Sequence, residues 1–77
     1  MKILVEFTAV LAAKGASSGD TLDVPDGAAV TDVLDFLHVR KDHQKYVVPF
    51  VNGDKKRLTD RLRDGDKLVL SLPVGGG

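Results

Sequence analysis

No cysteine occurs in this sequence, which removes disulfides, cysteine-based zinc sites and thiol nucleophiles together. An excess of one charge is missing too. Eleven Lys and Arg offset eleven Asp and Glu, so no global field draws the chain to nucleic acid or to a membrane surface. Long apolar runs are also absent. The opening Met1-Lys-Ile-Leu-Val-Glu-Phe7 is broken by a charge and followed by no cleavage pattern, so it reads neither as a span nor as a signal peptide. With 77 residues the chain suits one domain, near the size at which a single core only just suffices. The expectation is a small soluble cytoplasmic domain, monomeric when isolated, that meets its partners through shape and local contacts.

What is present is mostly short alternation. Lys2 to Phe7 alternates with period two and places Ile3, Val5 and Phe7 on its better face, which predicts a strand. Thr8 to Gly19 dissolves into small residues and reads as a loop with at most one helical turn. Asp20 to Val24 alternates again, and Pro25-Asp-Gly27 supplies a turn. Val30, Val33, Leu34 and Leu37 stand at helical spacing, with Thr31 as the expected N-cap and Asp32 suited to the positive end of the helix dipole. This helix should end near His38 or Val39, followed by a charged connector from Arg40 to Lys45. Tyr46 to Val51 is rich in strand formers, but Pro49 cannot donate to a ladder, so an edge or irregular strand is expected there. Asn52-Gly53 is a strong hairpin signal, returning through a lysine-rich strand from Asp54 to Leu58. Asp64-Gly-Asp66 then turns into a last strand, Lys67 to Leu72.

One helix beside several strands predicts an α+β domain of two layers. The expected core is Ile3, Val5, Phe7, Leu22, Val24, Val30, Val33, Leu34, Leu37, Leu58, Leu62, Leu68 and Leu70. The domain should occupy residues 1–72, leaving 73–77 as a mobile tail that closes on Gly75-Gly-Gly77. Those last five residues reach roughly 17 Å at most when extended. That is far enough to carry a terminal carboxylate off the domain and into a partner's active site. Glycines at 75 to 77 would let the receiving channel be too narrow for any other residue.

Four segments in order carry a resemblance along the whole chain. They are Val24-Pro-Asp-Gly-Ala-Ala-Val-Thr-Asp-Val-Leu34, Val51-Asn-Gly53, Leu62-Arg-Asp-Gly-Asp-Lys-Leu68 and the ending Leu72-Pro-Val-Gly-Gly-Gly77. Together they resemble the ubiquitin-like β-grasp sulfur carriers: the small subunit of molybdopterin synthase, the thiazole sulfur carrier and their relatives. The resemblance implies a mixed four- to five-stranded sheet with one main helix packed on one face, the first and last strands lying parallel at its centre. It implies a carrier rather than an enzyme, with no catalytic residue, metal or bound cofactor of its own. A ubiquitin-activating-type partner would use ATP to adenylate the Gly77 carboxylate. A sulfur donor would then convert it to a thiocarboxylate, with Gly75 and Gly76 threading the partner's channel. A sulfur-accepting synthase subunit would be the second partner. The long small-residue segment after the first strand and Pro73-Val74 lean toward molybdopterin rather than thiazole, while tRNA, cysteine and tungsten-cofactor pathways stay open. A ubiquitin-like modifier or interaction module is the alternative.

A partner surface follows from alternation. If Leu68 and Leu70 face the helix, Val69 and Ser71 face away. Resemblance to ubiquitin adds Val48 and Phe50 beside them, with Leu72, Pro73 and Val74 leading to the tail. The other register, with Phe50 in the core and Val47 and Val51 outward, stays open because of Pro49. The remaining chemistry is sparse. His38 and His43 lack further donors at ligand spacing. Asp60, Asp64 and Asp66 lack the calcium-loop pattern and read as turn formers. Ser17-Ser18 has no base in context. Lys55-Lys-Arg57 and Arg40-Lys41 read as solvated faces that could touch an acidic partner's rim.

Overall fold

The computed structural model describes residues 1–7 and 14–72. The chain runs β1 (Lys2–Phe7), β2 (Thr21–Asp23), α1 (Val30–Phe36), α2 (Lys41–Gln44), β3 (Val48–Val51), β4 (Asp54–Lys55) and β5 (Lys67–Ser71). The strands form a five-stranded sheet in the order β2-β1-β5-β3-β4. β1 and β5 lie parallel at its centre, with Val5 opposite Leu68 and Phe7 opposite Leu70, and every other pair is antiparallel. One face carries the core. Ile3, Val5, Leu22, Val51, Leu68 and Leu70 from the strands meet Val30, Val33 and Leu34 from α1 and Leu37 from its C-cap. Leu62 closes this core from the connection into β5.

Several expectations need correcting. Phe7 and Leu58 are only half-buried and pack against the core from its margin. Ala28, Val39 and Val47, absent from the expected core, are buried in it. Pro49 is not on an edge, since β3 lies between β5 and β4. The Pro49 carbonyl accepts from the Lys56 N–H at 2.9 Å, so the donor that proline lacks would also have pointed toward β4. β4 ends at Lys55, and the ladder to β5 loses nothing. The returning strand is thus two residues long, not the five of Asp54 to Leu58.

The N-cap of α1 is Ala29, not Thr31. Asp32 supplies the cap from inside the first turn, its Oδ2 accepting the Ala29 N–H at 2.9 Å, the reciprocal half of a capping box. Thr31 instead donates its hydroxyl to Gln44 Oε1 at 3.0 Å. The helix closes with His38 at φ 60°. The Val39 N–H reaches the Leu34 carbonyl and the His38 N–H that of Asp35, each at 3.0 Å. That is a Schellman closure with histidine where glycine is usual. The stretch expected as a charged connector holds the short helix α2, pinned by Gln44, which is 4% exposed. Its Nε2 donates to Asp35 Oδ1 at 2.8 Å and to the Val39 carbonyl at 2.9 Å. Hydrogen bonds from Lys41 and then Gln44 hold the Asp35 carboxyl below the usual carboxylate range.

No helix among the described residues is long and apolar enough to cross a membrane.

Candidate functional site

α1 and the core occupy one side of the sheet, and the alternate residues of each strand face the other way. β5 presents Val69 and Ser71 on this helix-free side, alternating with the buried Leu68 and Leu70. β3 follows the same rule: Pro49 and Val51 are buried, Val48 and Phe50 half-exposed. The register is therefore the one that turns Val48 and Phe50 outward, and Val47, at 4% exposure, belongs to the core. Physically, Val51 opposite Leu68 and Pro49 opposite Leu70 lock the pairing. Slipping β3 by one residue would drive Phe50 into a core already filled from α1.

Cross-strand pairing brings Val69 directly opposite Phe50 and places Ser71 opposite Val48. The row through Val69 runs from Glu6 on β1, across Val69 and Phe50, to Lys55 on β4. An apolar centre thus sits between one carboxylate and one ammonium. Lys67, one step along β5 on the same face, has its Nζ 3.4 Å from Glu6 Oε1, an exposed pair of little energetic weight that still sets the charge pattern. Lys55 was expected only as part of a solvated basic face, and Glu6 and Lys67 were not expected at a site at all. The same period-two alternation that selects Val69 also selects them.

The patch is continuous with the end of β5. Leu72, the last described residue, is half-buried and packs against the core, so the chain leaves the sheet beside Ser71. A shallow cleft of about 240 Å³ opens at this end, lined by Glu6, Phe7, Ser18, Val69, Leu70 and Ser71. Its floor is fixed by the Ser18 hydroxyl, which accepts the Phe7 N–H at 2.8 Å. The remaining proposed positions, Pro73, Val74, Gly75, Gly76 and Gly77, lie outside the described residues.

At the opposite end of the sheet the turn chemistry is structural. Asn52, at φ 52°, and Gly53, at φ 89°, form the hairpin between β3 and β4. The Asn52 side chain donates to Asp66 Oδ1 at 2.9 Å and accepts the Lys67 N–H at 3.0 Å, tying this hairpin to the start of β5. Asp60 and Asp66 accept the N–H groups of Arg57 and Arg63, each at 2.8 Å, and lock their own turns, while Asp64 accepts the Lys2 N–H at 2.7 Å and ties the turn before β5 to the start of β1. His38 and His43 are exposed. Among the described residues no group of three or more His, Asp or Glu could hold a metal ion.

No family model matches the sequence, and neither does any curated protein. Solved structures do match. The chain is similar to SAMP1 from Haloferax volcanii, with 26% identity, a TM-score of 0.74 and 100% of both chains covered. It is also similar to a protein provisionally named molybdopterin converting factor subunit 1 from Pyrococcus furiosus. There identity is 23% and the TM-score 0.71, over 96% of this chain and 99% of that one. A third likeness is to a protein in the complex of subunits 1 and 2 of the molybdopterin-converting factor from Helicobacter pylori, at 21% identity and a TM-score of 0.63, with both chains fully covered.

Proposed function

We propose that this chain, a ubiquitin-like β-grasp protein, is a sulfur carrier for cofactor biosynthesis, with molybdopterin favoured over thiazole. The observation that carries the reading is the helix-free face. Val48, Phe50 and Val69 form one half-exposed apolar group beside the point where the chain leaves β5. A partner seated on that group would meet Leu72 and the segment leading to Gly77. Half-exposed apolar side chains clustered at such a place suit docking. The likeness to molybdopterin converting factor subunit 1 supports the same pathway.

The chemistry follows from the carboxylate. It is a poor electrophile, because its charge is delocalised and its leaving group would be oxide. An adenylating partner joins the Gly77 carboxylate to AMP from ATP and releases pyrophosphate, which makes a mixed anhydride. Attack by a persulfide sulfur on that carbonyl expels AMP. Reductive cleavage of the resulting acyl disulfide by a thiol leaves the thiocarboxylate on Gly77, whose sulfur is then nucleophilic toward an acceptor. The domain contributes positioning: the patch docks, Leu72 to Val74 direct the tail, and Gly75 and Gly76 pass a narrow channel. Deleting Gly77 withdraws the carboxylate by about 3.5 Å, and misplacement by an ångström costs on the order of a hundredfold in rate. Adding Ala after Gly77 puts a methyl group at the reacting position. Both variants should fold normally and fail in ATP–pyrophosphate exchange with the adenylating enzyme and in thiocarboxylate formation read by intact mass. Full activity in both would refute the carrier reading.

The likeness to SAMP1, which the H. volcanii structures also describe as small archaeal modifier protein 1, favours a second reading. In it the activated Gly77 carbonyl is transferred to a lysine amine of another protein. Conjugates that carry Gly77 in an isopeptide bond, recovered under sulfur-replete conditions, would distinguish the two.

A further inference from the structure

A second groove lies far from the tail. It is an open trough of about 610 Å³ between the β2–α1 turn and the outer side of α1, with Val24, Pro25, Ala28 and Phe36 as its apolar lining. Phe36 is 48% exposed, one of two large hydrophobic side chains so placed among the described residues. A helix of this small domain gains nothing by presenting an aromatic ring to water. An exposed ring beside an apolar trough is a feature of interaction sites.

The rim is acidic. Asp26, Asp32 and Asp35 line the same trough, and residues 15–39 contain five aspartates, Asp20, Asp23, Asp26, Asp32 and Asp35, with no Lys or Arg at all. The lining itself therefore carries three carboxylates and no cation, with the Arg61 guanidinium standing just outside it against Gly27. Cations of the chain itself already settle around it. The Met1 ammonium stands 3.2 Å from Asp26 and 3.8 Å from Asp23, and Lys41 Nζ is 2.8 Å from Asp35. Asp23 and Asp26 keep 78% and 94% of their side-chain surface exposed. Such pairs are weak and exchangeable.

We infer that this groove docks a basic, apolar-anchored segment of a partner protein, one or two large hydrophobic side chains flanked by Lys or Arg. Charge complementarity chooses that occupant over a neutral or acidic one. The site is also separate from the face proposed for tail chemistry. Val24 pairs with Met1 at one end of β1, through N–H to carbonyl bonds of 2.9 Å and 2.7 Å. Ser71 lies beyond the Phe7–Leu70 pair at the other end, about 20 Å away at strand spacing. A protein held at this groove leaves Val48, Phe50, Val69 and the tail free for another.

The test is amide shift mapping of the labelled full chain with a short synthetic Lys/Leu amphipathic peptide, and with the same peptide carrying Glu for every Lys. The basic peptide should shift amides from Val24 to Phe36, more weakly as salt rises, and the acidic peptide should not. Phe36→Ser should weaken binding by about tenfold, as loss of an aromatic anchor does. Asp26→Lys should weaken it about threefold. Both should melt like the parent, since both side chains are exposed. No shifts at millimolar basic peptide would overturn the inference. So would equal binding of both peptides, or shifts centred on Phe50 and Val69. Self-association through the groove, seen as concentration-dependent shifts without peptide, would overturn it in favour of a second copy.

Discussion

Leu68 and Val69 are neighbours on β5 that point to opposite faces, which makes truncating each in turn a sharp test of the register. Leu68 has no exposed surface and lies between Val5 on β1 and Val51 on β3, with α1 above it. Leu68→Ala removes most of a fully enclosed side chain from the central strand, where flanking strands on both sides limit collapse into the cavity. The range for such truncations is about 2–5 kcal/mol, and this site belongs in its upper half, about 3–4 kcal/mol. A domain of this length has roughly 4–12 kcal/mol in all, so the variant loses from about a quarter to nearly all of it. At about 4–8 °C per kcal/mol for this size, its melting temperature should fall by about 12–30 °C. Val69→Ala, half-exposed on the other face, should lose about 1 kcal/mol or less. Urea unfolding followed by far-UV circular dichroism, compared at constant slope, measures both. Equal losses in the two variants, or a loss below about 1 kcal/mol for Leu68→Ala, would refute the placement of β5.

Phe50→Ala should leave the melting temperature within a few degrees of the parent and weaken binding to the adenylating enzyme by about tenfold or more, as an interface anchor would; calorimetric titration separates the two. His38→Gly should raise stability by about 1 kcal/mol or less, because glycine accepts φ 60° without the penalty of a Cβ; a lower urea midpoint would mean that the imidazole itself supports the helix end. Asp35 contributes stability that is present above the ordinary carboxylate range and lost as the pH falls through its lowered folded value, since protonation gives up the Lys41 and Gln44 hydrogen bonds. Thermal melts of Asp35→Asn should therefore decline less steeply than the parent's in acid, and parallel curves would refute that link.

The strands were legible where alternation was strict. β1 and β5 follow from Ile3, Val5, Leu68 and Leu70, and the outward set follows with them. Their parallel pairing came from the family resemblance, because alternation within a strand says nothing about which strand lies beside it. Pro49 misled because a missing N–H looks the same from either side, and only the pairing shows that it faces the short β4. Gln44 was invisible for a related reason. In the run Arg40 to Lys45 every residue reads as solvated, and its burial depends on Thr31 and Asp35, which come from a different helix. Thr31 looked like a cap because it precedes Val33, Leu34 and Leu37, but Asp32 performs the capping from the next position.

β5 touches both halves of the sheet, β1 on one side and β3 on the other. The chain therefore has a kinetic bottleneck. Until residues 67–71 arrive, β1 with β2 and β3 with β4 are separate two-stranded ribbons, each marginal in water alone. Val5 and Leu68 stand near opposite ends of the sequence, so the pairing that joins the ribbons requires a large loop closure before any of the core contacts reward it. Folding should be all-or-none, with no half-built domain worth populating. A polypeptide interrupted before Lys67 is then a substrate for proteases rather than a truncated but working protein.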